Sequence, residues 1–297
     1  MSQAYVYFEN DTAVIGNDYI ERRFSTADNR LTTTEIINKR IDGGKSLKFK
    51  KFSAEFFVGF RRKKFFDADI NETLKDKDAV KDEVLADEMQ TLFRMTLGKD
   101  DLKVQSVNVL KRRVEFVFEP YTYNGARITF IMNVEIEDDK HYMHKNIEMM
   151  VDPDRQHLVT IDYIDCEHIC IDNPEQMWTI GDMADAHISA YHASLGQPFY
   201  LNGMFFGSEF PLTETKIRDK VGYIRYFSGK RFDELKLNCG HTFRTWNTVV
   251  GAARTLDQRV IREDFLTYIR EISRPVQPRF QYNSWYDHMH DITDENI

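Results

Sequence analysis

Residues 281–297 place Asn283, Trp285 and Asp287 at alternate positions, between Tyr282, Ser284 and Tyr286. In an extended chain that period puts an amide, an indole and a carboxylate on one face. Such a face suits a polyhydroxylated ligand, because a Trp ring offers a flat apolar platform while Asn and Asp offer fixed hydrogen-bond partners for hydroxyls. The alternative is a C-terminal tail that packs its aromatics on a core. Glu209, in Gly207-Ser208-Glu209-Phe210-Pro211, has Phe205, Phe206 and Phe210 around it. Burial among those rings would suit an acid or a sugar contact, and the plainer reading is a carboxylate that caps backbone amides where a strand breaks at Pro211. Trp178 and Trp246 are further candidate platforms, although a lone Trp in an all-β core is usually structural.

Two clusters have the residue types of a metal site. Cys166, His168 and Cys170 alternate along one expected strand, and residues two apart on a strand can share an ion, but no fourth ligand is evident. The cysteines therefore read as small buried apolar groups, too far apart along an extended chain for a disulfide. His288 and His290, with Asp287 and Asp291, form the second cluster and read equally well as a turn. The expectation is no metal and no cofactor. Nucleotide binding and serine-hydrolase chemistry lack their motifs too, since there is no Walker loop, no Gly-x-Gly-x-x-Gly and no Gly-x-Ser-x-Gly.

The elements that must position these residues are mostly strands. Among 297 residues, 42% are hydrophobic and 13% aromatic, with 22 Phe and 14 Tyr, a composition rich in strand formers and long enough for a sizeable core. A formal net charge of −8 disfavours a nucleic-acid backbone as partner. The basic runs at 48–51 and 61–64 are short and read as solvated faces. Neither a secretion signal nor an apolar run of membrane-spanning length is visible, which gives the expectation of a soluble cytoplasmic protein with no membrane partner. Self-association into a homo-oligomer stays open.

Extended segments are expected at 4–8, 13–24, 31–41, 54–60, 89–97, 104–110, 113–118, 126–136, 146–151, 199–206, 222–228 and 242–250. The alternation is clearest at 126–136, where Ile128, Phe130, Met132, Val134 and Ile136 share one face. Turn chemistry separates the runs, as at Asn124-Gly125 and Asp42-Gly43-Gly44. The charged stretch 69–88 reads as a loop. One helix is expected over 257–272, with Asp257 as its N-cap, Pro275 as its stop, and an apolar stripe of Val260, Ile261, Phe265, Leu266, Ile269 and Ile272. The fold class is all-β: a large antiparallel sandwich, then a linker helix.

Asn283-Ser284-Trp285-Tyr286-Asp287 resembles the first barrel strand of the α-galactosidase-like glycoside hydrolases of family 36 and their relatives. In these, an N-terminal β-supersandwich of the galactose-mutarotase type leads through a helical linker into a (β/α)8 catalytic barrel. Residues 16–24 followed by 31–39 resemble the opening strands of such a sandwich, residues 134–145 its crossing hairpin, and residues 202–211 the strand that returns towards the barrel. The resemblance implies a sandwich over 1–256, a linker helix and Pro segment over 257–280, and the start of a truncated barrel at 281–297. It implies a non-catalytic N-terminal domain of a retaining enzyme that acts on an α-glycoside. Asn283, Trp285, Asp287 and Glu209 would be its sugar contacts, and the catalytic carboxylates would come later in the chain. Trp285-Tyr286-Asp287 departs from the family, which usually has more aromatic residues before the acidic one. A free-standing aldose-epimerase-like enzyme, with a His acid and a Glu base, and a carbohydrate-binding module without catalysis are the other two expectations.

Overall fold

The computed structural model describes residues 2–50, 53–61, 94–171, 174–180, 196–218, 220–235 and 242–274. Asn283, Trp285, Asp287, His288, His290 and Asp291 lie outside the described residues, as do Cys239 and the charged stretch 69–88. The chain divides into two compact units, residues 1–265 and residues 266–297.

Among the described residues of the first unit, the strands form three antiparallel sheets. The first is a meander of β1 (Tyr5–Glu9), β2 (Thr12–Gly16), β3 (Ile20–Ser25), β4 (Thr32–Asn38) and β5 (Lys45–Lys48), in that order. The second and largest runs β14 (Met177–Thr179), β15 (Phe199–Leu201), β16 (Met204–Ser208), β20 (Thr248–Ala252), β12 (Tyr142–Val151), β11 (Ala126–Ile136), β9 (Arg113–Phe118), β8 (Val104–Val109). To this path β10 (Tyr121–Tyr123) adds against β11, and β19 (Thr242–Arg244) against β12. The third is ordered β17 (Thr213–Arg218), β18 (Val221–Arg231), β13 (Thr160–Cys170), β6 (Phe57–Arg61), β7 (Arg94–Leu97).

The all-β expectation therefore holds, and the alternation at 126–136 is that of β11. Ile128, Phe130, Met132, Val134 and Ile136 are buried in the core, and the residues between them face outward. Long runs expected as single strands are broken by tight turns. Residues 199–206 become β15 and β16 because Asn202 and Gly203 both take positive φ, the hairpin geometry that matches strand twist. Asn124 and Gly125 do the same between β10 and β11. β12 begins at Tyr142, earlier than the expected 146, because its pairing with β20 covers Tyr142 to Lys145.

Aromatic side chains fill the space between sheets. Phe24 of β3 meets Phe116 of β9 at 5.0 Å between ring centroids, and Phe56 meets Phe118 and Phe130 at 5.5 and 5.9 Å. Each such buried ring contributes roughly 1.5–3 kcal/mol through removal from water. A four-charge cluster lies within this core and joins all three sheets. Arg22 of β3 donates to Glu167 of β13 at 3.0 Å and to Glu55 at 2.7 Å, while Lys145 of β12 reaches Glu167 at 2.8 Å. Thr33 closes the cluster, accepting from Arg22 Nε at 2.9 Å and donating its amide to Glu55 at 2.6 Å. Two cations balance two carboxylates, so nothing charged is left without an opposite partner.

Helix α1 (Gln258–Ile272) starts where expected, and Asp257 accepts the Arg259 amide at 2.8 Å as its N-cap. The buried side is not the simple stripe expected: Ile272 is 40% exposed, while Asp264 is buried. Asp264 pairs with the Arg254 amide and guanidinium at 2.8 and 2.9 Å. An ion pair thus takes a place on the buried face that periodicity reserves for an apolar side chain.

Candidate functional site

Strand β12 sends Lys145 and Ile147 inward and His144, Asn146 and Glu148 outward. On the neighbouring β11, Asn133 and Glu135 share that outer face, with Asn133 directly opposite Asn146 and Glu135 opposite His144. Antiparallel register alone sets these pairs within side-chain reach.

The other side of β12 is completed by β19 and β20 with a bulge between them. Arg244 pairs with Glu148 and Thr248 with Lys145, so three residues, Thr245 to Asn247, span the gap opposite two, Asn146 and Ile147. Thr245 holds the bulge in place, its amide donating to the Ile147 carbonyl at 2.9 Å and its hydroxyl accepting the Ile147 amide at 3.0 Å. A bulge re-aims side chains. Here it lifts Trp246 to the surface, 45% exposed, where its ring lies parallel to Phe210, 9° apart in plane and 5.7 Å between centroids.

Glu209 follows β16 and arrives beside the bulge, its amide donating to the Asn247 carbonyl at 3.0 Å. A chain of amides then runs across the strands and ends on its carboxylate. Asn133 Nδ2 donates to Asn146 Oδ1 at 3.1 Å, Asn146 Nδ2 to Asn247 Oδ1 at 3.2 Å, and Asn247 Nδ2 to Glu209 Oε2 at 2.9 Å. All three donate in the same direction, so each dipole reinforces the next and presents a partial positive charge to Glu209. Glu209 Oε1 lies 3.3 Å from His144 Nε2. Burial holds the His144 imidazole below the usual histidine range, against the opposing pull of Glu209, Glu135 and Glu137. At the far end, Asn133 also donates to Glu148 at 3.2 Å, and Arg244 stands 3.8 Å from that carboxylate.

Of the four expected sugar contacts, only Glu209 is described. It stands half-buried at the end of a side-chain network, with Asn247 donating to it at 2.9 Å. Trp246 is a surface platform and Trp178 is not: Trp178 stacks on the buried Tyr200 at 4.0 Å. His144, Asn133, Asn146 and Asn247 were missed. Their signal is polar residues on the solvent phase of two clearly alternating strands, which marks a face but not a network.

The cysteine–histidine alternation on β13 is overturned. Asp165 pairs with Arg225 and Glu167 with the next residue back, Ile224, so Cys166 is the extra residue of a bulge. It turns into the core, while His168 faces outward and stacks on Tyr223. Burial pushes the Cys166 thiol up to about 12.

The arrangement can bind, orient and exchange protons. Glu209 is a fixed acceptor, His144 a titratable neighbour, the amides supply donors and acceptors, and Trp246 with Phe210 gives an apolar platform. That combination fits a compact ligand with hydroxyls on one side and C–H groups on another.

No protein-family model matches the chain, and no curated protein matches it. Among solved structures it is similar to the alpha-N-acetylgalactosaminidase NagBb from Bifidobacterium bifidum, in complex with Gal-NHAc-DNJ. That likeness has 9% identity and a TM-score of 0.44, covering 90% of this chain and 39% of that one. It is also similar to YidC from Thermotoga maritima, at 14% identity and a TM-score of 0.28, covering 91% of this chain and 57% of that one. The chain thus spans less than two thirds of either. Likenesses this shallow assign no activity. No helix among the described residues is long and apolar enough to cross a membrane.

Proposed function

We propose that this chain is a carbohydrate-recognising β-sandwich domain whose sugar face is the outer side of β11, β12 and β20. The observation that carries the reading is the exposed Trp246–Phe210 platform beside a carboxylate, Glu209, fixed by a directional chain of three amides. A pyranose stacks its C–H face on an aromatic ring and hydrogen-bonds its hydroxyls to side chains already held in place, which lowers the entropy lost on binding.

The finer reading, carried by the resemblance of residues 283–287, 16–24 and 202–211, is the non-catalytic N-terminal domain of a retaining α-galactosidase-like glycoside hydrolase. The domain would support a barrel that begins at residues 281–297 and shape one wall of its pocket. Asn283, Trp285 and Asp287 would be the barrel's sugar contacts. The experiment is NMR titration of the chain with methyl α-galactoside, together with turnover of an aryl α-galactoside. Shifts at Trp246 and Asn247 without turnover are expected. Turnover by this chain would overturn the non-catalytic assignment, and no shift at either residue would overturn the sugar face.

A second reading, an aldose-epimerase-like enzyme, draws on the 3.3 Å approach of His144 to Glu209. It stands second because acid and base must address different oxygens of the sugar, whereas these two groups address each other. Accelerated mutarotation of galactose, abolished in Glu209→Gln, would move it to first place.

A further inference from the structure

We propose that the outer face of the third sheet is a second binding surface, which takes a neutral oligosaccharide laid along β18 over Tyr223, Arg225 and Phe227. The inference does not depend on the face around Trp246. These three side chains alternate outward on β18, while Gly222, Ile224 and Tyr226 between them are buried. Phe227 is 51% exposed. It stands four positions beyond Tyr223, roughly 13 Å along an extended strand. A ligand that touches both is therefore a chain of sugars and not a single ring. The solvent side of an antiparallel sheet is ordinarily polar. Here it is built of rings: a Cβ at Gly59 of β6 would run into the Tyr163 ring, and one at Gly98, just after β7, into the Phe57 ring. Glycine at both positions lets the two rings lie down on the backbone. Tyr163 is pinned further by the contact of its hydroxyl with that of Thr96 at 3.0 Å. His168 stands edge-on to Phe57 at 4.8 Å and stacks on Tyr223 at 6.3 Å, which holds the Tyr223 ring in its row.

Arg225 supplies the polar contact. Its Cζ lies 4.0 Å from the Tyr163 ring centroid and 5.0 Å from that of Tyr223. Asp165, buried, fixes its direction: Nε donates to Oδ1 at 2.6 Å and Nη2 to Oδ2 at 3.0 Å. Those two nitrogens form one edge of the planar guanidinium, so Nη1 is left on the other edge, with no hydrogen-bond partner among the described residues. A donor and two rings are thus set in place before any ligand arrives, which lowers the entropy lost on binding. The charge balance selects a neutral ligand. Arg225 is matched by Asp165, and on the neighbouring β17 Glu214, opposite Arg225, forms an ion pair with Lys216, opposite Tyr223. These two cations and two carboxylates cancel. Nη1 is therefore offered to a hydroxyl or ring oxygen, with no net field to draw in a carboxylate or a phosphate, while the rings take the C–H faces of the sugars.

The test is NMR titration of the whole chain with maltohexaose, cellohexaose and chitohexaose, beside methyl α-galactoside as the one-ring comparison. Saturable shifts at Tyr223, Arg225 and Phe227 with at least one hexasaccharide are expected, and none there with the single ring. Phe227→Ala should weaken that binding about tenfold, as the loss of a stacking ring implies. Phe227→Leu keeps an apolar side chain without the ring; it should weaken binding similarly, and it serves if Phe227→Ala does not fold. No shift at these residues with any of the three hexasaccharides overturns the surface, and so does unchanged affinity on loss of the Phe227 ring. Equal shifts with methyl α-galactoside overturn the requirement for a chain. Tighter binding of a hexasaccharide of galacturonate, with a carboxylate on each ring, overturns the neutral assignment. Shifts at Tyr223 and Phe227 on concentrating the chain without sugar give the face to a second copy and overturn the sugar assignment. Sugar-induced shifts at Trp246 and Asn247 alone remove this surface and leave the first face standing.

Discussion

Lys145 and Asn146 are neighbours in the chain and face opposite ways. Inward, Lys145 enters a closed set of charges with Arg22, Glu55 and Glu167, in which Glu167 is 0% and Arg22 1% exposed. Outward, Asn146 belongs to a chain of amides that ends at a half-buried carboxylate beside a surface Trp. Both are polar networks that cross strands. The inner one has its charges balanced and water excluded, so its energy is spent on holding three sheets in one arrangement. The outer one keeps an acceptor and an apolar ring within reach of solvent, which is what a ligand requires. Polar residues in a sheet thus divide into fastening and recognition by whether the network closes on itself.

The largest effect that tests this contrast comes from Glu167→Ala, which leaves Arg22 and Lys145 buried beside a single carboxylate. Loss of one partner from a buried ion pair costs about 3–5 kcal/mol, to be read as a lower urea midpoint. Replacement of all four charged residues by apolar ones of similar volume should instead be near neutral or stabilising, by up to about 4 kcal/mol. A four-residue variant as unstable as Glu167→Ala would mean that the cluster does more than hold charge in balance.

Next in size is Trp246→Ala, expected to lower affinity for methyl α-galactoside by about tenfold, as the loss of a stacking platform worth about 1.5 kcal/mol implies. Its unfolding free energy should change little, because nearly half of the ring is already in water. A large stability loss with unchanged affinity would make the outer aromatic pair structural and erase the contrast. Asn247→Ala removes one donor to Glu209 and one acceptor from Asn146, and should cost about 1 kcal/mol of stability with a weaker sugar response.

The smallest effect is the acid limb of stability, and here the two networks differ in where they titrate. His144 has its folded-state value depressed by burial, so the unfolded chain takes up a proton first and stability falls as pH drops below about 6.5. For Glu55, burial opposes the charge but Arg22 and Lys145 prevail and hold the carboxyl below its usual range. The stability it contributes is therefore present above that range and lost only as pH falls through it. Urea midpoints against pH should show a small step in the histidine range that His144→Gln removes, then a steeper one in the carboxylate range. A first step that survives His144→Gln would locate it elsewhere.

Much of this is legible in the sequence. Asp257 begins the helix as its side chain and the following periodicity require, and β11 buries the five residues that its alternation selects. Glu209 stood out by its setting, yet the partners that explain it lie 65 residues upstream at His144 and 38 downstream at Asn247, by their positions in the chain. No local pattern links them.

By itself the sequence determined what has a short period: strands two residues per repeat, a helix near four, and turns where Asn-Gly accepts positive φ. Tertiary structure alone decided the strand register, the bulges at Cys166 and at Thr245 to Asn247, and the pairing of β16 with β20. A bulge adds one residue to a ladder, and every side chain beyond it changes face while composition and alternation nearby look the same. That is why Cys166 turned into the core and Trp246 out of it. Register is settled by the burial of whole sheets against each other, a sum over contacts distant in sequence, and so both the four-charge core and the amide chain first appear when the sheets are assembled.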